Sequence, residues 1–385
     1  MKIAWYHSHF LHHNSGGSRF VIDYASGLQD KFMHQVTVFC DCASEESRIE
    51  FEKLGVGLVE LGKHSTNSPM YWLFLPFYIF KSRHKLRNVA SNFDVLIAGI
   101  FPTNIWSSKV KIEKVWLCYE PFAFFYDKDY LSSFTKLQRL FFKLLGFFYS
   151  RYDIKVAANF KKVITINKTN TKKIKSIYGI DAKVVYAGID ASVYFRANEE
   201  DIANFRGKHE GSPLLFHSTD LGGTKGTIPL LHIIKVLLRH FPRLVLLVTI
   251  YINKPEATAE LMRLIDEMQL SRNIRLLGCL PKAELPMYYS GVDFVCQPSI
   301  NQPANWPLKE GLLCGTPIIG GIASEEVNHS NGVRIDVLNL QDSVLKLSEL
   351  FHKNKDDFYI DKDMLVDNYS FDKCLISFNN ELLTK

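Results

Sequence analysis

The segment Gln302-Pro-Ala-Asn-Trp-Pro-Leu-Lys-Glu310-Gly-Leu-Leu-Cys-Gly-Thr-Pro317 decides how the rest of the chain is interpreted. Apolar runs flank it at residues 292–298 and 316–320. This order predicts a strand, a polar loop, a short helix that begins near Trp306 or Pro307, a glycine turn and a second strand. The first turn of such a helix exposes backbone N–H groups that suit a phosphate. Glu310 follows one turn later, where its carboxylate can accept hydrogen bonds from sugar hydroxyls.

Composition restricts the class of protein. The chain has 385 residues, of which 47% are hydrophobic and 22% charged, as in a globular protein of about two domains. The seven cysteines include no CxxC pair, which indicates reduced thiols in a cytoplasmic protein. A metal or redox pair at Cys40 and Cys42 is the less favoured alternative. Residues 1–6 predict a strand rather than a signal peptide, and the aromatic run at 71–80 is too short to span a bilayer.

A β–loop–α–β unit opens the chain. Residues 2–6 predict a strand, Gly16 and Gly17 lie in the following loop, and apolar residues then recur at helical spacing before a strand at 36–39. This is the opening of a doubly wound α/β domain. The loop lacks the GxGxxG pattern of dinucleotide sites. A Gly-Gly turn at a helix N-terminus nevertheless lets a phosphate or sugar approach the backbone, a plain tight turn being the alternative.

The loop before these glycines contains four histidines, at positions 7, 9, 12 and 13. Some of their spacings would allow a shared metal ion, but the loop has no carboxylate or cysteine close by. We therefore expect the histidines to line an interdomain cleft rather than to bind zinc.

Two further apolar runs, 95–98 and 115–118, have the unalternating pattern of buried parallel strands. Polar loops follow both runs, with Asn104 in the first loop and Tyr119 and Glu120 in the second. In open α/β sheets ligands bind beyond the carboxyl ends of the strands. We therefore predict that these three side chains line a ligand cleft, surface turns being the alternative.

Residues 134–149 predict a helix with a broad apolar face, and lysines and arginines surround that face as far as residue 155. Packing on the core would account for the apolar face. The excess of phenylalanine together with cations also suits a helix at a membrane surface. We favour a peripheral protein that contacts an anionic membrane through residues 134–155. Nucleic-acid binding is disfavoured because no RNA- or DNA-binding motif appears.

The α/β pattern restarts after residue 212. A predicted strand at 213–217 leads into a Gly-rich loop, 218–226, that carries Ser218 and Lys225. Further strands and helices alternate as far as the opening segment. We therefore predict an N-terminal domain over 1–195, joined by a helix at about 370–385 that crosses back to it, a linker over 196–212, and a C-terminal domain over 213–369. Two such domains would face each other across a cleft, which is the natural site.

Six segments occur in an order and spacing that is specific when they are taken together. They are the Gly16-Gly17-x-Arg19 loop, residues 184–190, Lys225-Gly226, residues 273–293, Gln302-x7-Glu310 with the Gly-Leu-Leu-Cys-Gly-Thr-Pro that follows it, and Tyr369-Ser-Phe-Asp372. Together they resemble the retaining GT-B glycosyltransferases of family four, whose E-x7-E segment corresponds to residues 302–310. The resemblance covers nearly the whole chain and implies two Rossmann-like doubly wound domains.

The resemblance also implies a reaction. It is the retaining transfer of a hexose-type sugar from a nucleotide diphosphate sugar to a glycan or lipid-linked acceptor, in cell-surface polysaccharide synthesis, with no cofactor and no required metal. Charge on the leaving phosphate would be stabilised by Lys225 and by backbone N–H groups. Glu310 would bind the ribose and Gln302 the transferred sugar. The other implied donor-binding residues are Gly16, Gly17, Ser218, Cys279, Leu280, Asn305, Trp306, Pro307 and Leu308, and the acceptor-binding residues are Asn104, Tyr119 and Glu120.

The chain departs from the family's pattern at three places. Gln302 stands where glutamate is usual, so it can bind a hydroxyl but brings no charge. Ser218, Thr219 and Asp220 occupy the stretch in which the family has an arginine before the loop lysine. Tyr119 stands where many relatives have histidine. The alternative function is therefore a catalytically weak GT-B homologue that binds sugar nucleotides or serves as a partner subunit.

Overall fold

The computed structural model describes residues 1–62, 69–132, 134–252, 254–300, 304–354 and 357–384. The chain divides into two compact units, one comprising Met1–Tyr186 with Cys374–Lys385 and the other comprising Ala187–Lys373. Each unit has a parallel sheet with helices packed against it. The predicted fold class, α/β with two doubly wound domains, is confirmed.

The first unit is built on a seven-stranded sheet. The strands described in this unit are β1 (Lys2–Tyr6), β2 (His9–Phe10), β3 (Gln35–Cys40), β4 (Cys42–Ala43), β5 (Gly57–Glu60), β6 (Val95–Ala98), β7 (Glu113–Leu117), β8 (Lys162–Thr165) and β9 (Lys183–Val184). Seven of them form the parallel sheet, in the order β5-β3-β1-β6-β7-β8-β9, and β2 pairs separately with β4. The chain order therefore reverses between β1 and β6.

Helices follow most of these strands. They are α1 (Gly16–Phe32), α2 (Glu45–Lys53), α3 (Pro69–Leu73), α4 (Leu75–Ala90), α5 (Thr103–Ser107), α6 (Ala123–Tyr126), α7 (Lys128–Ser132), α8 (Lys136–Ala157) and α9 (Lys168–Tyr178). Ser15 caps α1, because its side chain accepts a hydrogen bond from the N–H of Ser18. Thr135 and Gln138 form a capping box at the start of α8, which fixes where this long helix begins.

The second unit repeats the pattern with a six-stranded parallel sheet. Its strands are β10 (Leu214–Thr219), β11 (Val245–Ile250), β12 (Ile274–Gly278), β13 (Phe294–Gln297), β14 (Ile318–Gly321) and β15 (Gly332–Ile335), in the order β12-β11-β10-β13-β14-β15. Its helices are α10 (Glu199–Lys208), α11 (Thr227–Leu237), α12 (Pro255–Glu267), α13 (Leu285–Gly291), α14 (Trp306–Leu313), α15 (Leu340–Phe351) and α16 (Lys362–Tyr369). The central strands β10 and β11 are buried along their whole length, as expected for strands covered on both faces.

The C-terminal helix α17 (Phe371–Leu383) returns to the first unit, which includes the chain from Cys374 onward. Phe378 is fully buried there and its ring stacks on Trp5 of β1, with ring centroids 5.5 Å apart. His34 lies 2.8 Å from the amide oxygen of Asn379. These contacts attach α17 to the first sheet.

The segment predicted as a linker, residues 196–212, contains helix α10 packed on the second unit. Phe205 lies so close to Gly291 that a Cβ at that glycine would be 2.3 Å from its ring. Arg206 also forms an ion pair with Asp293. The charged and Gly-containing composition suggested a linker, but these charges occupy the outer face of a helix whose one buried residue is Phe205.

Within the described residues, none of the helices has the length and apolarity needed to cross a bilayer.

Candidate functional site

The order of the second unit's sheet reverses between the neighbouring strands β10 and β13. In open α/β sheets ligands bind beyond the carboxyl ends of the strands at such a switch point. The segments that follow these strands are residues 220–226 and, among the described residues, 298–300 and 304–305. Lys225 lies on the first loop, Asn305 directly precedes α14, and Trp306, Pro307, Leu308 and Glu310 lie on α14. Ser218 is instead buried within β10 itself. Gln302 lies outside the described residues.

The two loops are held against each other. The N–H of Ile300 donates to the carbonyl of Thr224 over 2.9 Å. Gly226 has φ +73°, and a Cβ at this position would be 2.5 Å from the carbonyl oxygen of Pro298. Glycine is therefore required at position 226 for the backbone conformation and for the close approach of the second loop.

Lys225 places a cation on the Gly-rich loop. Its N–H donates to the carbonyl of Gly222, and its ammonium lies 5.7 Å from the centre of the Tyr251 ring. At the start of the loop, the carboxylate of Asp220 accepts the N–H of Gly222 over 2.9 Å. The loop thus folds into a tight turn that carries one acidic and one basic side chain.

A second lysine, Lys254, lies at the same loop and was not found from the sequence. Its ammonium donates to the carbonyl of Asp220 over 2.8 Å. The residue precedes α12 and follows β11, the neighbour of β10 in the sheet. The sequence shows only that a basic residue follows an apolar strand, and this does not indicate which loop its side chain contacts.

Helix α14 begins at Trp306, one of the two predicted starting residues, and carries Glu310 one turn later. Glu310 is buried, and one of its carboxylate oxygens accepts the hydroxyl of Tyr289 over 2.7 Å. Burial raises the pKa of Tyr289 well above its usual value, and the charge of Glu310 adds to this effect. The tyrosine therefore remains a hydrogen-bond donor that orients the carboxylate, which the sequence did not reveal.

The first turn of α14 has fewer backbone donors than the sequence suggested. The N–H of Trp306 donates to the carbonyl of Ala304, and Pro307 has no N–H. Of the predicted residues 306–308, Leu308 therefore retains a backbone N–H as the candidate donor to a phosphate.

A buried polar cluster supports the N-terminal end of α14. The side-chain amide of Asn305 donates to the hydroxyl of Ser324 and to the carboxylate of Glu326, over 3.2 and 3.1 Å. Lys309 is buried as well, with its ammonium 3.6 Å from Glu326 and 4.6 Å from the centre of the Tyr369 ring. The amide oxygen of Asn305 is buried and has no hydrogen-bond partner in the part of the chain that the structure describes. It can therefore accept a hydroxyl from a ligand.

Cys279 and Leu280 directly follow β12, at the same carboxyl edge of the sheet. Gly278 before them has φ +69°, and its carbonyl accepts the hydroxyl of Thr249 over 2.8 Å. Cys279 is exposed, and its thiol lies 4.0 Å from the carbonyl of Tyr251. The two residues therefore border the strand end that leads to Lys254.

In the first unit, the corresponding switch point lies between β1 and β6. Gly16 and Gly17 form the first turn of α1, and a Cβ at Gly17 would be 3.6 Å from the ring of His7, which directly follows β1. Burial lowers the pKa of His7 to about 3, and His9 adds to the shift. His7 is therefore a neutral imidazole at neutral pH.

Tyr119 and Glu120 follow β7, and Tyr119 is buried with its ring packed edge-on against Phe20, 5.4 Å away. Its hydroxyl has no hydrogen-bond partner within the described ranges, and burial raises its pKa. Glu120 is half-buried beside it.

Asn104, the third predicted acceptor-binding residue, is fully buried, and its side-chain amide donates to Asp153 over 2.6 Å. The acceptor contact predicted for Asn104 is therefore not supported, because its side chain joins α5 to α8 inside the core.

Metal ligands are not clustered in the residues that the structure describes: no group of three or more His, Cys, Asp or Glu side chains there could hold an ion.

The two α/β units and their parallel sheets define a protein of the GT-B class. Residues 14–193 match the family model described as Glycosyltransferase Family 4, and residues 198–363 match the model described as Glycosyl transferases group 1. The chain belongs to this family of glycosyltransferases. A comparison with curated proteins found no match.

Solved structures share the fold at low sequence identity. HepE from Anabaena, in complex with UDP and glucose, has a TM-score of 0.75 and 15% identity, with all of both chains covered. A glycosyltransferase from Rickettsia africae ESF-5 has a TM-score of 0.72 and 16% identity, covering 100% of this chain and 99% of that one. Sucrose-phosphate synthase from Thermosynechococcus elongatus has a TM-score of 0.75 and 12% identity, covering 98% and 97%.

Proposed function

We propose that the protein transfers a hexose-type sugar from a nucleoside diphosphate sugar, with retention at the anomeric carbon, and that the second unit binds the donor. The observation that carries this proposal is the switch point of the second sheet. Two interlocked loops meet there with a loop lysine, Lys225, and a buried, oriented carboxylate, Glu310. HepE, which has the same fold, was solved with UDP and with UDP-glucose, which supports a donor of this kind.

The roles of the residues follow from the chemistry of the leaving group. Negative charge builds up on the β-phosphate as the sugar departs, and donors aimed at that position stabilise the transition state. We assign this role to Lys225 and to the N–H of Leu308. Glu310 accepts hydrogen bonds from the ribose hydroxyls, and Gln302 and Asn305 bind the sugar. An amide at position 302 can bind a hydroxyl without adding a charge.

We propose that the first unit binds the acceptor near Tyr119 and Glu120, and that the acceptor is a glycan or a lipid-linked sugar of a cell-surface polysaccharide. The buried hydroxyl of Tyr119, which has no partner in the described part of the chain, can bind an acceptor hydroxyl. A buried hydroxyl without such a bond is costly, so a ligand that supplies one gains affinity.

We further propose that the first unit lies on an anionic membrane surface. Helix α8 exposes several large apolar side chains, namely Leu137, Leu140, Phe141, Leu144, Phe147 and Phe148, of which Leu137 is 78% exposed. Helices α3 and α4, with the residue between them, add Met70, Leu73, Phe74, Phe77 and Phe80. Residues 69–93 and 130–152 contain lysines and arginines but no Asp or Glu. Exposed phenylalanine and leucine on segments that carry basic but no acidic residues suit the interface of an anionic bilayer.

The donor proposal is tested with a panel of UDP-, GDP- and ADP-sugars, on which binding, hydrolysis and transfer are measured. We expect one donor type to bind and to be turned over, and Glu310→Ala to reduce turnover at least tenfold, because the ribose loses a charged hydrogen-bond partner. Nucleotide binding without turnover on any donor, and without an effect of Glu310→Ala, would favour the alternative of a catalytically weak sugar-nucleotide-binding subunit.

The membrane proposal is tested by flotation with vesicles of phosphatidylglycerol and of phosphatidylcholine. We expect the protein to float with the anionic vesicles, and a variant with Leu137, Phe147 and Phe148 changed to Gln to remain at the bottom. Leu345→Gln, on an exposed apolar residue of the second unit, is the matched control and is expected to float. Wild-type protein that remains at the bottom of both gradients would contradict the proposal.

A further inference from the structure

Two lysines that are distant in the sequence lie at the Gly-rich loop of the second unit. Lys225 belongs to the loop, and Lys254 reaches its first residue, Asp220, from the segment after the next strand. The negative charge of the Asp220 carboxylate would repel an anionic ligand at this loop. Lys225 only balances that charge, whereas Lys225 and Lys254 together give the loop a net positive charge.

The sheet explains why Lys254 meets this loop. Strands β10 and β11 are parallel neighbours, so their carboxyl ends and the segments after them lie side by side. The N–H of Tyr251, the first residue after β11, donates to the carbonyl of Thr219 over 3.1 Å, which ties the two strand ends together. The Tyr251 ring then lies near the Lys225 ammonium, 5.7 Å from its centroid. The two lysines therefore flank one loop at the switch point.

The ammonium of Lys254 is only partly used by the loop. A lysine has three N–H donors, and the contact with the Asp220 carbonyl takes one of them. Lys254 is half-buried, and it makes no ion pair within the ranges that the structure describes. An ammonium fixed at a Gly-rich loop with donors to spare suits a phosphate oxygen.

We propose that Lys254 is a second diphosphate-binding cation of the donor site, which acts with Lys225 and offsets the charge of Asp220. This inference rests on the proposed function, since it assigns a residue to the phosphates of the same donor. It makes Lys254 a determinant of affinity for the diphosphate rather than for the nucleoside.

The test measures binding of UDP, GDP and ADP, and of the three corresponding monophosphates, to the full-length protein by titration calorimetry. The variants are Lys254→Gln, Lys254→Arg and Lys235→Gln. Lys235 is an exposed lysine of α11 in the same unit, so its variant is matched in the change of net charge. We expect Lys254→Gln to weaken diphosphate binding about tenfold or more, because a charge-assisted hydrogen bond is lost.

Three further results are expected. The monophosphate is weakened less than the diphosphate, Lys254→Arg retains most of the affinity, and Lys235→Gln binds as the wild type does. Binding of the diphosphate by Lys254→Gln at wild-type affinity would overturn the inference while leaving the proposed function intact. Equal losses for mono- and diphosphate would also overturn it, since Lys254 would then act on the shape of the loop. Wild-type protein that binds none of the six nucleotides would overturn the proposed function itself.

Discussion

Replacing Gly226 by alanine tests the interlocked loops at the switch point of the second unit. Alanine in the left-handed region costs about 1–2 kcal/mol at any such position. At position 226 the new Cβ would also lie 2.5 Å from the carbonyl oxygen of Pro298, so one loop must move by several tenths of an ångström. That movement strains the hydrogen bond between Ile300 and Thr224, and crowding of this kind costs a further ~1–3 kcal/mol. We therefore expect Gly226→Ala to destabilise the protein by about 3 kcal/mol or more.

Gly315→Ala is the matched control, because Gly315 lies in the same unit with φ +77° and its Cβ would make only an ordinary contact at 3.6 Å. Its variant should lose about 1–2 kcal/mol. Both variants are compared by urea unfolding and by calorimetric titration with UDP, GDP and ADP. Gly226→Ala should also lose nucleotide affinity, whereas Gly315→Ala should keep it. Equal stability losses with unchanged affinity in both variants would refute the reasoning.

Two further predictions concern buried ionisable groups. Tyr289→Phe removes the hydroxyl that donates to Glu310 and should cost about 2 kcal/mol of unfolding free energy and weaken nucleotide binding; unchanged values of both would contradict the positioning role. Burial raises the pKa of Asp41 to about 7, so the folded protein keeps a proton that the unfolded chain releases near pH 4, and stability falls as the pH rises towards 7. Between pH 5 and pH 8 the unfolding free energy of the wild type, measured with urea, should therefore fall by about 3 kcal/mol relative to that of Asp41→Asn. A difference between the two proteins that does not change with pH would contradict this.

The fold was predictable because its strands are short apolar runs followed by polar loops. Strands β1 and β6 have the predicted bounds, and α14 begins at Trp306, one of the two residues predicted for its start. The helix within residues 196–212 was missed because its exposed face is charged and its single buried residue gives no periodic pattern. Apolar periodicity therefore predicts elements that bury a whole face. It does not predict a helix that buries a single residue.

The candidate site was only partly predictable, because the missing information concerns which distant side chains meet. Asn104 is a polar residue in a predicted loop, yet its side-chain amide donates a hydrogen bond to Asp153, which lies 49 positions further on. Lys254 and Tyr289 likewise act through partners 34 and 21 positions away. A motif places the residues of one loop, whereas the partners that orient them come from neighbouring strands and helices.

Turnover of the donor, followed by proton NMR, tests the central claim most directly. Wild-type protein and Glu310→Ala are incubated with UDP-, GDP- and ADP-glucose and the anomeric signals are recorded over time. We predict that wild-type protein consumes one of these donors and that the sugar first appears with the donor's anomeric configuration, while Glu310→Ala reacts at least tenfold more slowly. First appearance of the opposite anomer would contradict retention. Equal rates for the two proteins would contradict the donor site.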